Sequence, residues 1–210
     1  VKTDDLIGLL AHDAKVTMPL TKRLGLALLG ALAFASFIFV AAIGVRPDID
    51  DAVQTIRFLY KFLITICLAL TAAHFLFAAG RPHVSLDNIS GLLLSPALLA
   101  AAVIVELIVL PSDQWWASMI GRNALKCLTI VPLLSVGPLC LLLMALRQGA
   151  PRHPTIAGGL AGLASAGIAA TFYAANCTDD SPLFVALWYP LAISIVVAVG
   201  ALCGTKMLRW

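Results

Sequence analysis

The sequence predicts an all-α membrane protein: a bundle of six transmembrane helices with a short N-terminal amphipathic helix. Three observations predict it. The 210 residues are 61% hydrophobic and only 12% charged, whereas an average soluble domain is about a quarter charged and about half apolar. The mean hydropathy is +0.99, more apolar surface than a soluble fold of this size can hide; in a bilayer, lipid takes the place of the missing polar shell. The apolar residues also fall into six runs of about 20, the length that crosses the hydrocarbon core. These runs use most of the chain, which leaves one bundle and no room for a separate catalytic domain.

Segment 1–23 is polar with apolar spots. Thr3 followed by Asp4 and Asp5 reads as an N-cap with acids at the positive end of a helix. Leu6, Leu9 and Leu10 then fall on successive turns, and Pro19 is expected to end the helix before the basic pair Lys22-Arg23 at the membrane edge. The first long apolar run begins near Leu24, after this polar leader. It is long enough to span, so it reads as a span and not as a cleaved signal peptide.

The six spans are expected near 24–45, 59–79, 91–110, 125–146, 156–175 and 183–203. Short connections separate them, carrying Arg46-Pro47-Asp48, Arg81-Pro82, Pro111 with Trp115-Trp116, the stretch from Arg147 to Pro154, and the stretch from Cys177 to Pro182. The tryptophans, Trp188 and Trp210 included, together with Tyr189 suit the membrane–water boundary. Nine of the 14 Lys and Arg residues fall on the side of the N-terminus and five on the other. The richer side is expected to face the cytoplasm, which puts both termini inside and the 1–2, 3–4 and 5–6 loops outside. The 5–6 loop, with Asp179 and Asp180 and no base, agrees. Gly158-x-x-x-Gly162 and Gly200-x-x-x-Gly204 let backbones approach, for packing within the chain or for a homodimer. Pro96, Pro132, Pro138 and Pro190 interrupt spans and are expected to kink them.

No phosphate-binding loop, His-Glu-x-x-His, Gly-x-Ser-x-Gly or Cys-x-x-Cys occurs, so no enzyme chemistry is suggested. The net charge of +3 is spread between apolar runs, and direct nucleic-acid binding would need clustering. Ionisable residues inside spans are few, with Glu106 and His74 the candidates, whereas an ion or proton pathway usually shows more. Of five cysteines, Cys67, Cys140 and Cys203 lie within apolar runs as small packing residues. Cys127 opens the fourth span and Cys177 closes the fifth, so both come to the outer face at similar depth. Asn176, Thr178, Asp179, Asp180 and Glu106 are the polar groups expected nearby. Three readings stand: packing residues, a structural disulfide, or a sensor of a soft metal ion or an oxidant, since thiolates suit soft ions and the space outside a bacterial inner membrane permits oxidation. Asp179, Asp180 and Ser181 equally suit a tight turn before Pro182.

Several stretches resemble the NrsF family, negative regulators of bacterial ECF sigma factors. They are the opening Lys2-Thr3-Asp4-Asp5-Leu6-Ile7, Gly44-x-Arg46-Pro47-Asp48, Lys126-Cys127-Leu128, Ala145-Leu146-Arg147-x-Gly149-Ala150-Pro151, the run from Cys177 through Thr178-Asp179-Asp180-Ser181-Pro182 to Phe184, and the closing Leu208-Arg209-Trp210. The resemblance spans essentially the whole chain. It implies an integral-membrane anti-sigma factor of the bacterial inner membrane. A cytoplasmic N-terminal segment, 1–23, would bind the ECF sigma factor, and residues 24–210 would form the six-helix sensor domain. It implies that Cys127 and Cys177 match the two cysteines through which a heavy metal is read from outside; Asp179 and Asp180 are the acids expected beside them at a metal or oxidant site, and the leader's pattern suggests that Leu6, Ile7, Leu9 and Leu10 dock on the sigma factor while Asp4 and Asp5 pair with its bases. No tightly bound cofactor is expected, only a soft metal ion as signal. The reading it competes with is a small membrane transporter or channel, which would need a polar, water-lined path.

Overall fold

The computed structural model describes residues 18–80, 89–149 and 151–208. The leader helix expected within 1–23 falls almost wholly on residues 1–17, outside the described residues, as do Asp4, Asp5, Leu6, Ile7, Leu9 and Leu10. The described residues are helical, with no strand among them. Six stretches are long and apolar enough to cross a membrane.

Helix α1 is Leu20–Ile38, and its last turns widen into a π-helical turn over Phe39–Ile43. The span thus starts four residues earlier than expected, because Pro19 takes the N-cap position of α1 and Lys22-Arg23 joins its first turns. A short helix, α2 (Ile49–Ala52), precedes α3 (Ile56–Ala79). Thr55 caps α3, its Oγ1 accepting from the Phe58 N–H. A 3-10 stretch at Ile89–Leu93 leads into α4 (Leu94–Val109). After a 3-10 turn at Ser112–Gln114 comes α5 (Trp115–Ile120), then α6 (Ala124–Leu146), α7 (Pro154–Ala174) and α8 (Pro182–Met207).

Pro96 sits in the first turn of α4, within the span Ser90–Val109, where the 3-10 stretch passes into the α-helix. Pro132, Pro138 and Pro190 do lie inside helices, and α6 and α8 run continuously through them.

The central helix is α7. Its Ala- and Gly-rich surface is buried on nearly all sides, so α3, α6 and α8 approach it closely. The two small-residue motifs pack on each other. A Cβ on Gly158 would lie 2.3 Å from the Gly200 carbonyl oxygen, and one on Gly200 would lie 2.4 Å from that of Gly158. They therefore serve packing within the chain. In contrast, α1, α3 and α4 turn large apolar side chains outward, among them Leu29, Phe37, Ile56 and Ile108, as lipid-facing helices do. Two core clusters fill the bundle. One, around Leu24, Leu76, Leu142, Leu146, Leu160 and Leu208, lies at the end nearer the termini. The other, around Cys127, Val131, Tyr173, Cys177, Phe184 and Tyr189, lies at the end where the 1–2, 3–4 and 5–6 loops meet.

Candidate functional site

Cys127 and Cys177 meet in this second cluster. Cys127 stands in the first turns of α6, its N–H bonded to the Asn123 carbonyl at 2.8 Å. Cys177 follows the end of α7, its N–H bonded to the Tyr173 carbonyl at 2.9 Å. The antiparallel order of the two helices brings the positions to one depth. Both side chains are shut in, Cys127 at 0% and Cys177 at 1% exposure, and both thiols are free. Tyr173 and Tyr189, with ring centroids 6.0 Å apart, belong to the same enclosure. The Tyr173 hydroxyl donates to the Asn123 carbonyl at 3.3 Å, while the Tyr189 hydroxyl is buried without a hydrogen-bond partner. Burial pushes the Cys177 thiol up from its ordinary range, and the nearby Lys61 ammonium is the largest influence opposing it.

The two acids expected beside the thiols are placed apart. One oxygen of Asp179, Oδ2, accepts from the backbone N–H groups of Arg122 and Asn123 at 2.9 and 2.8 Å and from Asn123 Nδ2 at 2.9 Å. A carboxylate at the start of α6 meets both the free N–H groups and the positive end of the helix. Gly121 makes this approach possible. Its φ is +59°, and a Cβ there would lie 2.4 Å from the Phe184 ring and 2.8 Å from the Asp179 carboxylate. Asp179 thus closes the 5–6 loop over the start of α6.

Asp180 points into a buried ionic cluster. It accepts from Arg46 Nη1 at 2.6 Å and from Lys61 Nζ at 2.5 Å. Lys61, at 2% exposure, and Arg46, at 7%, are both inside the bundle. Each also donates to the Cys177 carbonyl, at 2.9 Å from Lys61 and 3.3 Å from Arg46. Asp48 completes the set with two bonds to Arg46, at 2.8 and 2.6 Å. Two cations and two carboxylates, that of Asp48 half exposed, leave no net charge, and pairing is the condition on which buried charges are tolerated. The Arg46 hydrogen bond holds the Asp48 carboxyl down at about 2, and the two carboxylates hold the guanidinium up.

Glu106 lies near the same end of the bundle, paired with Arg57 at 3.1 Å and accepting from the Ser181 hydroxyl at 3.3 Å. Among the described residues no three His, Cys, Asp or Glu side chains are grouped to hold a metal ion. Asp179 and Asp180 are occupied by N–H donors and cations, which leaves two sulfurs as the donor set.

Sequence reasoning missed Arg46, Lys61, Asn123 and Tyr173. In the sequence Arg46 stands out only as part of a family-like motif and Lys61 only as one of the charges that set topology. The available signal was a lysine five residues inside an apolar helix, where an unpaired ammonium is costly.

Fold and site together define a polytopic helical membrane protein that keeps a pair of thiols sealed beneath its loops. Residues 10–210 match the family described as NrsF, negative regulator of sigma F, and the chain belongs to that family. It is 30% identical to the probable anti-sigma-F factor NrsF of Azospira oryzae and 34% identical to the anti-sigma-F factor NrsF of Caulobacter vibrioides, in each case over 100% of both chains. No solved structure matches it.

Proposed function

We propose that this chain is an inner-membrane anti-sigma factor. Its N-terminal segment holds an ECF sigma factor at the cytoplasmic face, and a heavy metal or oxidant acting on Cys127 and Cys177 from the periplasm releases it. The observation that carries this reading is the end-to-end match to two anti-sigma factors. The geometry supports an input at the thiols: two of them from distant parts of the chain share one enclosure, a donor set that suits a soft ion or oxidation better than a hard cation. On the output side, Leu6, Ile7, Leu9 and Leu10 give the leader an apolar face to lay in a groove of the sigma factor. Asp4 and Asp5 offer charge to its basic residues. With Arg46 and Lys61 inside the bundle, three bases remain at the loop end against nine on the side of the termini, which strengthens the case for cytoplasmic termini.

The transporter reading finds less support. The apolar cavity of about 540 Å³ between α3, α4, α7 and α8 is lined mainly by Ile64, Leu68, Leu99, Val185 and Ile193. Of the hydroxyls at its wall, those of Thr65, Ser95 and Ser194 donate to helix carbonyls, which leaves, among the described residues, the unpartnered Tyr189 hydroxyl as a single polar group on an otherwise apolar wall.

A reporter of sigma-dependent transcription tests the proposal in cells carrying Cys127→Ser or Cys177→Ser, with and without cadmium or an oxidant. The expected result is lost induction in each variant, with basal repression and membrane insertion intact. Normal induction in both would make the thiols packing residues.

A further inference from the structure

We propose that Arg46 and Lys61 are the positioning residues of the thiol site, and that through them the end of the first span is bolted to the Cys177 loop and moves with it. The proposal rests on the reading that Cys177 is part of the input, and adds where a change there is delivered.

Three contacts join the end of the first span to the end of α7. The Arg46 N–H donates to the Ala175 carbonyl at 3.1 Å, Asn176 Nδ2 donates to the Gly44 carbonyl at 3.0 Å, and Arg46 Nη1 reaches the Cys177 carbonyl. The Phe39 and Phe172 rings, 5.6 Å apart, continue the joint downward. From α3, Lys61 holds the same Cys177 carbonyl and, with Arg46, the Asp180 carboxylate next to it. The carbonyl of the sensor residue is therefore gripped by two buried cations from two other elements. A shift of that residue cannot leave either cation unaffected, because an unpaired buried charge is far costlier than a paired one.

The gripped part of the first span is its least regular part. The Gly44 N–H bonds to the Phe39 carbonyl at 2.7 Å, five residues back, closing the π turn that ends the helix. Such turns carry one residue more than an α-helix needs and occur often at functional sites. Loss of the turn would rotate and shift the helix by about one residue, or about 1.5 Å of rise. The helix it would move, α1, buries only Leu24, Ala31 and Ala35 and lies along α6, with Phe34 over Gly137. At its other end α1 leads directly into the N-terminal segment.

Hydrogen exchange by mass spectrometry, on the full chain in lipid nanodiscs, tests this without a sigma factor. The variants are Lys61→Met and the double variant Lys61→Met/Asp180→Asn. The double variant removes one charge of each sign, so no uncompensated buried charge remains and a merely structural need for charge balance is met. The expected result is exchange about tenfold or more faster in both variants, at once in the segment 39–48 and in the segment 175–180, with α7 and α8 unchanged. The proposal is overturned if the double variant exchanges like the wild type, or if 175–180 loosens while 39–48 does not. Failure of the anti-sigma reading would show elsewhere, as induction that survives both cysteine substitutions.

Discussion

Asp179 and Asp180 are sequence neighbours with separate tasks. Asp179 answers three N–H donors at the start of α6. Asp179→Ala is expected to cost about 1.5–3 kcal/mol, the scale of hydrogen bonds to a charged group, read as a lower thermal midpoint of the detergent-solubilised protein. Lys61→Met leaves Asp180 with Arg46 alone and should cost about 3–5 kcal/mol, the scale for breaking a buried pair; an unchanged midpoint would mean that water replaces the ammonium. Asp48 sets an acid limit. Its carboxyl is held at about 2 in the folded chain against an ordinary value near 4. The Arg46 pairing therefore contributes stability above about pH 4 that is lost as pH falls towards 2. Midpoints measured across this window should fall for the wild type and fall less for Asp48→Asn. At the other end of the scale, burial pushes the Cys177 thiol up, so thiolate is scarce near neutrality. Alkylation of Cys177 in native membranes at pH 8 should be at least about tenfold slower than in the detergent-unfolded chain.

At the level of elements, α7 and α8 approach closely where glycine meets glycine. A side chain on Gly158 meets backbone, which cannot swing aside. Gly158→Val should therefore exceed the usual cost of overpacking, about 1–3 kcal/mol, whereas Gly25→Val, with nothing within 4 Å of its Cβ position, should be nearly silent. Six spans were legible in the sequence because a membrane dictates both the length and the composition of whatever crosses it. The pairing of the Gly-x-x-x-Gly motifs was legible only as a choice between self-packing and dimerisation, since small residues mark a close approach without naming the other side. Pro96 falls where a 3-10 stretch passes into α4, a change of helix type that the sequence does not mark. The π turn at Phe39–Ile43 has no sequence mark at all, and arises where the first span meets the end of α7.

Across the whole molecule, the two ends are specialised. The end near the termini is sealed by leucines. The loop end holds thiols, phenols and a neutral ionic cluster. Cys127 and Cys177 could be paired from sequence because two consecutive antiparallel spans bring the start of one to the end of the next. Arg46 and Lys61 could not. Their partner Asp180 lies more than a hundred residues away along the chain, and a base at the edge of an apolar run looks like a topology signal until its partner is seen. If, as proposed, the output is the N-terminal segment and the input the loop end, the sigma factor is held at the membrane by this chain. The most direct test is to fractionate cells and measure the sigma factor in membrane and soluble fractions, with the wild-type chain and with Leu6→Asp/Leu10→Asp, before and after the metal or oxidant signal. The account predicts sigma factor in the membrane fraction with the wild-type chain alone, released by the signal and absent with the leader variant. Sigma factor that stays soluble in every case, or stays at the membrane with the leader variant, would contradict it.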